Sequence, residues 1–452
     1  MLRTVRAAPR RRAIIDSVMR AGRGAQAGFP GARLRVGLLC GDLEPALDGV
    51  ADYSRRLALA LAGAGLDPML LTTHRLARAP GTAGITAGWD LGGVRAAARA
   101  IRAMNLDILH VQFAPSVFGF SRAVGLLPLL LPGHLPVVAT LHEYGIWSCR
   151  GPFGRVGAVV WPAAERAALL DRETLLLTPR RVRVVVTNDR HLDTAAARFP
   201  SGGAGGRPPA QVPIGSNIDV APAGRELARS WLRRQLGAGD EAPVVVFFGF
   251  LHPVKELDRL VRAVAALRPR HPGLRLVIVG GAGSHSVPPA QATRLRRQLE
   301  DEARHYGLAG GGVLLTGYRP AAEVSRILSG ADAAAFPFRD GLTAAKSGSL
   351  LAALDHGLPV IATSPPGGGP VPREGKGVLW VVPRDTAALA AALDQVLTDP
   401  GLRARLTVSG SALAQAHRWP AIARAHLDIY AETVAAWPAR PPTRGEVAGA
   451  SS

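Results

Sequence analysis

The chain is 452 residues long, too long for one hydrophobic core, and its 48% hydrophobic and 19% charged content is that of a folded globular protein. Its formal charge of +20 invites a nucleic-acid partner. However, the arginines are scattered rather than gathered with aromatics, and no recognition-helix or base-stacking motif accompanies them, so no nucleic acid is expected.

The first 32 residues are Arg-rich and lack the apolar run of a signal peptide, so they read as a basic disordered arm. Leu34 to Cys40 reads as a strand. A loop over Gly41 to Asp48 leads to Gly49-Val50-Ala51-Asp52-Tyr53, which opens an amphipathic helix through Ala62. Further strands are predicted at Pro68–Thr72, Ile108–Gln112, Pro136–Leu141 and Val182–Thr187. The most apolar window, Val124 to Thr140, is broken by Pro128, Pro132, Gly133, His134 and Pro136, so it does not read as a membrane span. Ser201 to Pro209, rich in Gly and Pro, reads as loop. The series then restarts. Pro243–Gly249 is a predicted strand, Leu257–Leu267 a helix and Leu274–Gly280 a strand, and Val313–Thr316, Ala333–Phe336 and Val360–Thr363 continue a second sheet. Short strands alternating with helices predict an α/β protein of two Rossmann-like lobes with a cleft between them, the seam falling near residues 213–242. Cys40 and Cys149 are the only cysteines, which suggests neither disulfide nor metal site and fits a reducing cytoplasm.

Of the 54 basic residues only Lys255, Lys346 and Lys376 are lysine. Lys255 follows the predicted strand ending at Gly249. Lys346 lies in Lys346-Ser347-Gly348-Ser349, before an apolar helix that Ser347 or Ser349 can cap and Gly357 can end. An ammonium beside the free N–H groups of a helix start is an anion site. The plainer reading is a capped helix with a solvated lysine. A P-loop is excluded by spacing, because Ala345 stands where its second Gly belongs. Gly280-Gly281-Ala282-Gly283 lacks the dinucleotide fingerprint, and no Asp-x-Asp occurs in the chain.

The segment from Ala335 to Ser349 resembles the donor-site stretch of family-4 retaining glycosyltransferases, which have the glycosyltransferase-B fold. Other pieces follow in the family's order: Gly49 to Tyr53, Asp107 to Gln112, Ala139 to Glu143, Pro213 to Ile218, Gly249 to Lys255, Leu315 to Tyr318, and His417 to Tyr430. The resemblance covers residues 33–437. It implies an acceptor lobe over 33–222, a donor lobe over 223–415, a closing helix over 416–437 that crosses back to the first lobe, and a disordered tail over 438–452.

It also implies transfer of a sugar from a nucleotide-diphosphate sugar to a saccharide or lipid-linked acceptor, with retention and without a metal or cofactor, in bacterial polysaccharide, glycolipid or envelope synthesis. The expected catalytic residues are His142, Asp340, Lys255 and Lys346. Gly49, Val50, Ser347, Gly348 and Ser349 join the two lysines around the donor phosphates. Gly317, Tyr318 and Arg319 lie on the base side, and His110, Gln112, Ser216 and Asn217 are candidates for the acceptor side. Two departures stand out: Phe250 and Leu251 replace the family's arginine, and Ala344 and Ala352 occupy the positions of its Glu-x7-Glu pair. The chain resembles a bacterial subgroup with Asp-Gly, a basic residue and then Gly-Ser-Leu-Leu at this place, and Asp340 is the nearest carboxylate to the position of the missing Glu. A non-catalytic nucleotide-sugar binder and a sugar-nucleotide 2-epimerase remain alternatives. The implied location is cytoplasmic, with peripheral contact at the anionic inner face of the membrane suiting the positive charge.

Overall fold

The computed structural model describes residues 33–438 except 45–48, 146–153, 168, 175–180, 201, 203–205, 222–223, 282–286, 342–343, 345–346, 367–372 and 376. Two compact units divide the chain. One comprises Met1–Pro213 with Trp419–Ser452, and the other Ile214–Arg418.

The first unit is built on strands β1 (Arg35–Cys40), β2 (Asp67–Thr73), β3 (Thr82–Thr86), β4 (Ile108–Phe113), β5 (Val137–Leu141), β6 (Arg183–Val186) and β7 (Ala210–Gln211). They form one sheet in the order β3-β2-β1-β4-β5-β6-β7, with every pairing parallel. Its helices are α1 (Gly49–Gly63), α2 (Leu91–Ala103), α3 (Leu127–Leu130), α4 (Gly154–Arg166) and α5 (Asp189–Arg198). Every residue of β4 and β5 is buried, as a parallel sheet covered on both faces requires. Helix starts follow local chemistry. Asp90 accepts from the Gly93 amide at 2.7 Å to cap α2, and Asn188 accepts from the His191 amide at 3.0 Å to cap α5.

The second unit holds α6 (Arg225–Gln235), β8 (Val244–Phe248), α7 (Leu257–Leu267), β9 (Arg275–Val279), α8 (Pro289–His305), β10 (Val313–Gly317), α9 (Ala321–Gly330) and β11 (Ala333–Phe336). It continues with α10 (Gly348–Asp355), β12 (Val360–Thr363), β13 (Arg373–Gly375), β14 (Val378–Val381), α11 (Thr386–Thr398) and α12 (Pro400–Ala416). The sheet order is β10-β9-β8-β11-β12-β14-β13, parallel except where β13 meets β14. Its core centres on Val244–Phe247, Leu276–Val279 and Ala333–Phe336, against which Leu260, Val264, Leu354 and Leu393 pack. The last helix, α13 (Trp419–Ala436), belongs to the first unit and packs on α1.

The α/β architecture with two parallel, Rossmann-like sheets is as expected. Four strands escaped the sequence reading: β3, β7, β13 and β14. Three are sheet-edge strands, and β7 and β13 have only two and three residues, too few for a period-2 signal. The division between units falls at Pro213, at the start of the seam expected near 213–242 and ahead of the lobe bound at 222. The reason is packing: Ile218 is 6% exposed within the second unit's core, Ile214 packs against that core, and the Ile214 carbonyl lies 2.8 Å from His417 Nδ1. The expected arm over 1–32 and the tail from 439 onward lie outside the described residues.

Candidate functional site

Strand order in the second unit reverses between β8 and β11. Ligands of open α/β sheets sit at the carboxyl ends of the strands flanking such a reversal. Three neighbouring strands there end in glycines of positive φ: Gly249 (144°), Gly280 (151°) and Gly317 (70°). The Gly249 amide bonds to the Val279 carbonyl at 2.9 Å, and the Gly280 amide to the Gly317 carbonyl at 3.1 Å. A Cβ on Gly280 would lie 2.0 Å from the Gly249 carbonyl oxygen. Only glycine permits strand ends this close.

Beyond Gly249, His252 accepts from the Val254 amide at 3.1 Å and starts a single helical turn, Pro253–Lys255. The Lys255 ammonium sits 4.3 Å from the centroid of the Phe338 ring, a cation–π arrangement that holds it at the β11 side of the reversal. The Arg339 amide bonds to the Val254 carbonyl at 2.8 Å, so the segments after β8 and β11 are tied together. Glu256 follows in left-handed conformation, φ 43°. Its carboxylate gathers Arg259 at 2.8 Å, Arg339 at 3.4 Å and Arg384 at 3.6 Å.

The start of α10 closes this arrangement. Ser347 caps it by accepting from the Leu350 amide at 3.1 Å. A Cβ on Gly249 would lie 3.2 Å from Ser349 Oγ, and one on Gly348 would lie 3.3 Å from the Gly215 carbonyl and 3.6 Å from Asn217. Gly215, Asn217, Gly249, Gly348 and Ser349 therefore meet at one end of the sheet, where a helix N-terminus presents free N–H groups. Asn217 Oδ1 is buried there without a hydrogen-bond partner among the described residues. Ser216, 8% exposed, is spent on its own turn, its hydroxyl donating to the Ile218 carbonyl at 2.9 Å. Asp340 is half-buried beside Arg339. Tyr318 is 58% exposed, and Arg319 pairs with Glu323 at 3.6 Å. Ala344 and Ala352 are buried in the core.

In the first unit, β4 and β5 turn His110, Gln112 and Thr140 to one face, with Gln112 in register with Thr140. His142 follows β5 and is 8% exposed. Its Nε2 lies 2.9 Å from Gln112 Oε1, and its ring meets the Tyr53 ring edge-on at 4.7 Å. His110 is enclosed, with Nδ1 2.6 Å from the Tyr430 hydroxyl and Nε2 2.7 Å from Thr140 Oγ1. Burial, reinforced by His191 and His426, lowers His142 to a pKa of about 3, and burial lowers His426 to about 4. Both are neutral at pH 7. The turn after His142 is held from below: Tyr144 donates to Asp171 at 2.8 Å, the Gly145 amide donates to Glu173 at 2.9 Å, and Arg198 bonds both carboxylates. Gly49 is exposed at the start of α1, and the Val50 carbonyl accepts from Ser54.

The chain superposes on sucrose-phosphate synthase from Thermosynechococcus elongatus with a TM-score of 0.63 at 22% identity, covering 89% of this chain and 100% of that one. It superposes on Anabaena HepE in complex with UDP and glucose with a TM-score of 0.60 at 18% identity, covering 89% and 100%. The fold is glycosyltransferase-B.

Within that fold, residues 242–399 match the family model "Glycosyl transferases group 1", the stretch that contains the strand reversal, Lys255 and the start of α10. Among curated proteins the chain is 35% identical to a D-inositol 3-phosphate glycosyltransferase of Actinosynnema mirum over 234 residues, 48% of this chain and 52% of that protein. It is 32% identical to the Stackebrandtia nassauensis protein of the same name over 231 residues, 49% and 48%. The chain thus spans about half the length of these curated relatives.

Several expectations about this glycosyltransferase-B chain change. His110 and Gln112, read as acceptor-side candidates, are both 0% exposed and bond to Tyr430, Thr140 and His142. Ser216 and Asn217, read beside them, belong to the second unit, next to Gly348. Lys346 lies outside the described residues. Sequence reasoning missed Tyr53, His191, His426, Asp171, Glu173 and Arg198. Nothing local marks them, because each gains its meaning from a partner distant in the chain. Among the described residues no group of three or more His, Cys, Asp or Glu is placed to hold a metal, and no helix is long and apolar enough to cross a membrane.

Proposed function

We propose that this chain is a glycosyltransferase that binds a nucleotide-diphosphate sugar in its second unit and transfers the sugar, with retention and without a metal, to an acceptor. The observation carrying this reading is the placement of Lys255, which follows β8 and lies over Phe338, and of the capped start of α10, which follows β11, at the β8/β11 reversal, inside the segment that matches group 1 glycosyl transferases.

The chemistry follows from charge. Cleaving a sugar–diphosphate bond leaves an oxocarbenium-like carbon and an anionic leaving group, and fixed positive charge around the phosphates is the main requirement. Lys255, the N–H groups at Gly348 and Ser349, and Lys346 by its place in the sequence would supply it. Each cation contributes about 3–4 kcal/mol in the transition state on the scale of a preorganised donor. His142 would hold the sugar, and Asp340 would take the role of the family's first Glu. With no carboxylate pair at nucleophile spacing in this reading, same-face substitution assisted by the leaving phosphate accounts for retention. The names of the curated relatives put a phosphorylated polyol beside saccharides and lipid-linked sugars as an acceptor class, and the basic surface suits work at an anionic membrane. A second reading, a nucleotide-sugar binder without turnover, draws on Ala344 and Ala352.

The test is a panel of UDP-, GDP-, ADP- and dTDP-hexoses, each with water, D-inositol 3-phosphate or lipid-linked saccharides, scored for released nucleoside diphosphate and for product. Turnover with one donor supports the transferase. Saturable binding without turnover supports the binder, and absence of binding to every sugar nucleotide rules out both.

A further inference from the structure

His142 carries two ring nitrogens, and only one is engaged. Nε2 lies 2.9 Å from Gln112 Oε1. Nδ1 has no hydrogen bond to the described residues, and the side chain keeps 8% exposure. A neutral imidazole has a single N–H, so the partner of one nitrogen decides what the other can do.

Gln112 Nε2 is buried without a hydrogen-bond partner among the described residues, and so is His426 Nε2. His426 Nδ1 is 2.9 Å from the Ile422 carbonyl, which can only accept, so Nδ1 carries the proton and Nε2 is a bare acceptor. The His426 ring lies tilted at 5.2 Å from that of His110, two residues before Gln112 on the same face of β4. The Gln112 amide turns its oxygen to His142 Nε2, and an NH2 in that place would instead make His142 Nε2 the acceptor.

We propose that Gln112 is a positioning residue that fixes His142 in the tautomer protonated at Nε2, so that Nδ1 meets a bound ligand as a hydrogen-bond acceptor for a hydroxyl. The role assigned to the ligand rests on the transferase reading; the tautomer does not. His142 in this state accepts a hydroxyl proton's hydrogen bond and has no proton to give to a leaving group from that nitrogen. Gln112, 0% exposed, touches no ligand. It acts only through the imidazole, with Tyr53 packed edge-on against the ring and holding its plane.

The experiment is long-range proton–nitrogen correlation NMR on the full chain labelled with nitrogen-15 histidine, the His142 signals being those lost in His142→Asn. The expected spectrum between pH 6 and 8 shows a protonated Nε2 and an unprotonated Nδ1. Gln112→Leu is expected to give a mixture of tautomers. Gln112→Glu, which keeps an acceptor oxygen, is expected to retain Nε2–H while moving the ring's protonation to higher pH. Where turnover is found, Gln112→Leu is expected to lower kcat at least tenfold with little change in KM, and Gln112→Glu to recover part of it. A wild-type ring protonated at Nδ1 overturns the proposal whether or not any variant folds, and so does an unchanged tautomer in a folded Gln112→Leu protein. If no donor is turned over, the transferase reading fails while the tautomer result still stands.

Discussion

The hydroxyl of Tyr430 lies 2.6 Å from Nδ1 of His110, joining positions 320 residues apart. Through this contact α13, the last helix, is built into the first unit's sheet. Tyr430→Phe removes one partner and strands a buried imidazole nitrogen, a penalty of about 1–3 kcal/mol. Urea unfolding is expected to show a lower midpoint for the transition that includes α13 with an unchanged slope. An unshifted midpoint would show that the bond contributes nothing net.

The Asp171–Arg198–Glu173 group should matter more. Asp171 is 0% exposed and accepts from Tyr144, Thr174 and Arg198. Asp171→Ala leaves part of a buried guanidinium uncompensated, which costs about 3–5 kcal/mol in such settings. The expected result is loss of cooperative folding in the first unit at 37 °C. The counter-result is a near-wild-type melting temperature.

Stability of the first unit should fall in acid for an identifiable reason. His142 and His426 titrate near 3 and 4 when folded against 6.5 for an unperturbed histidine. Below pH 6.5 the unfolded chain takes up protons that the folded chain refuses, so these terms are at full strength above pH 6.5 and are lost as the pH falls toward 4 and 3. Each contributes up to about 1.4 kcal/mol per pH unit inside its window. Carboxylates add their own slope, so the comparison is with His426→Leu, which should unfold less steeply between pH 6 and 4. Parallel curves would contradict this account.

Gly280→Ala places a Cβ 2.0 Å from the Gly249 carbonyl at φ 151°. Backbone strain of this kind costs about 1–3 kcal/mol, and the two strand ends must separate. Both a lower midpoint for the second unit and weaker nucleotide binding are expected. Tight binding in a destabilised Gly280→Ala protein would mean that the glycine contact serves folding alone.

Lys255→Ala should leave folding nearly intact, because the ammonium lies over the face of the Phe338 ring rather than filling the core. Turnover should drop roughly 100-fold or more, the scale for losing one preorganised donor. Lys255→Arg is expected to recover only part, since a planar guanidinium does not reproduce a compact ammonium. Near-normal rates in Lys255→Ala would remove it from the phosphate site.

The reading of two parallel sheets came from signals complete within a few residues: apolar runs such as Val244–Phe248, glycines at their ends, and capping serines and aspartates. These are local energies, so the chain's own order displays them. The β8/β11 reversal could be approached the same way, because Gly249 ends one strand run and Lys255 and Ser347 lie in the segments that follow β8 and β11. Pairing across the chain was not legible. That His110 is closed off by Tyr430, that Gln112 faces His142 from behind, and that Ile214 packs with the second unit depend on which helix covers which sheet face. Burial and tautomer are properties of the assembled neighbourhood, and a buried polar group has no signature until the group satisfying it is in place.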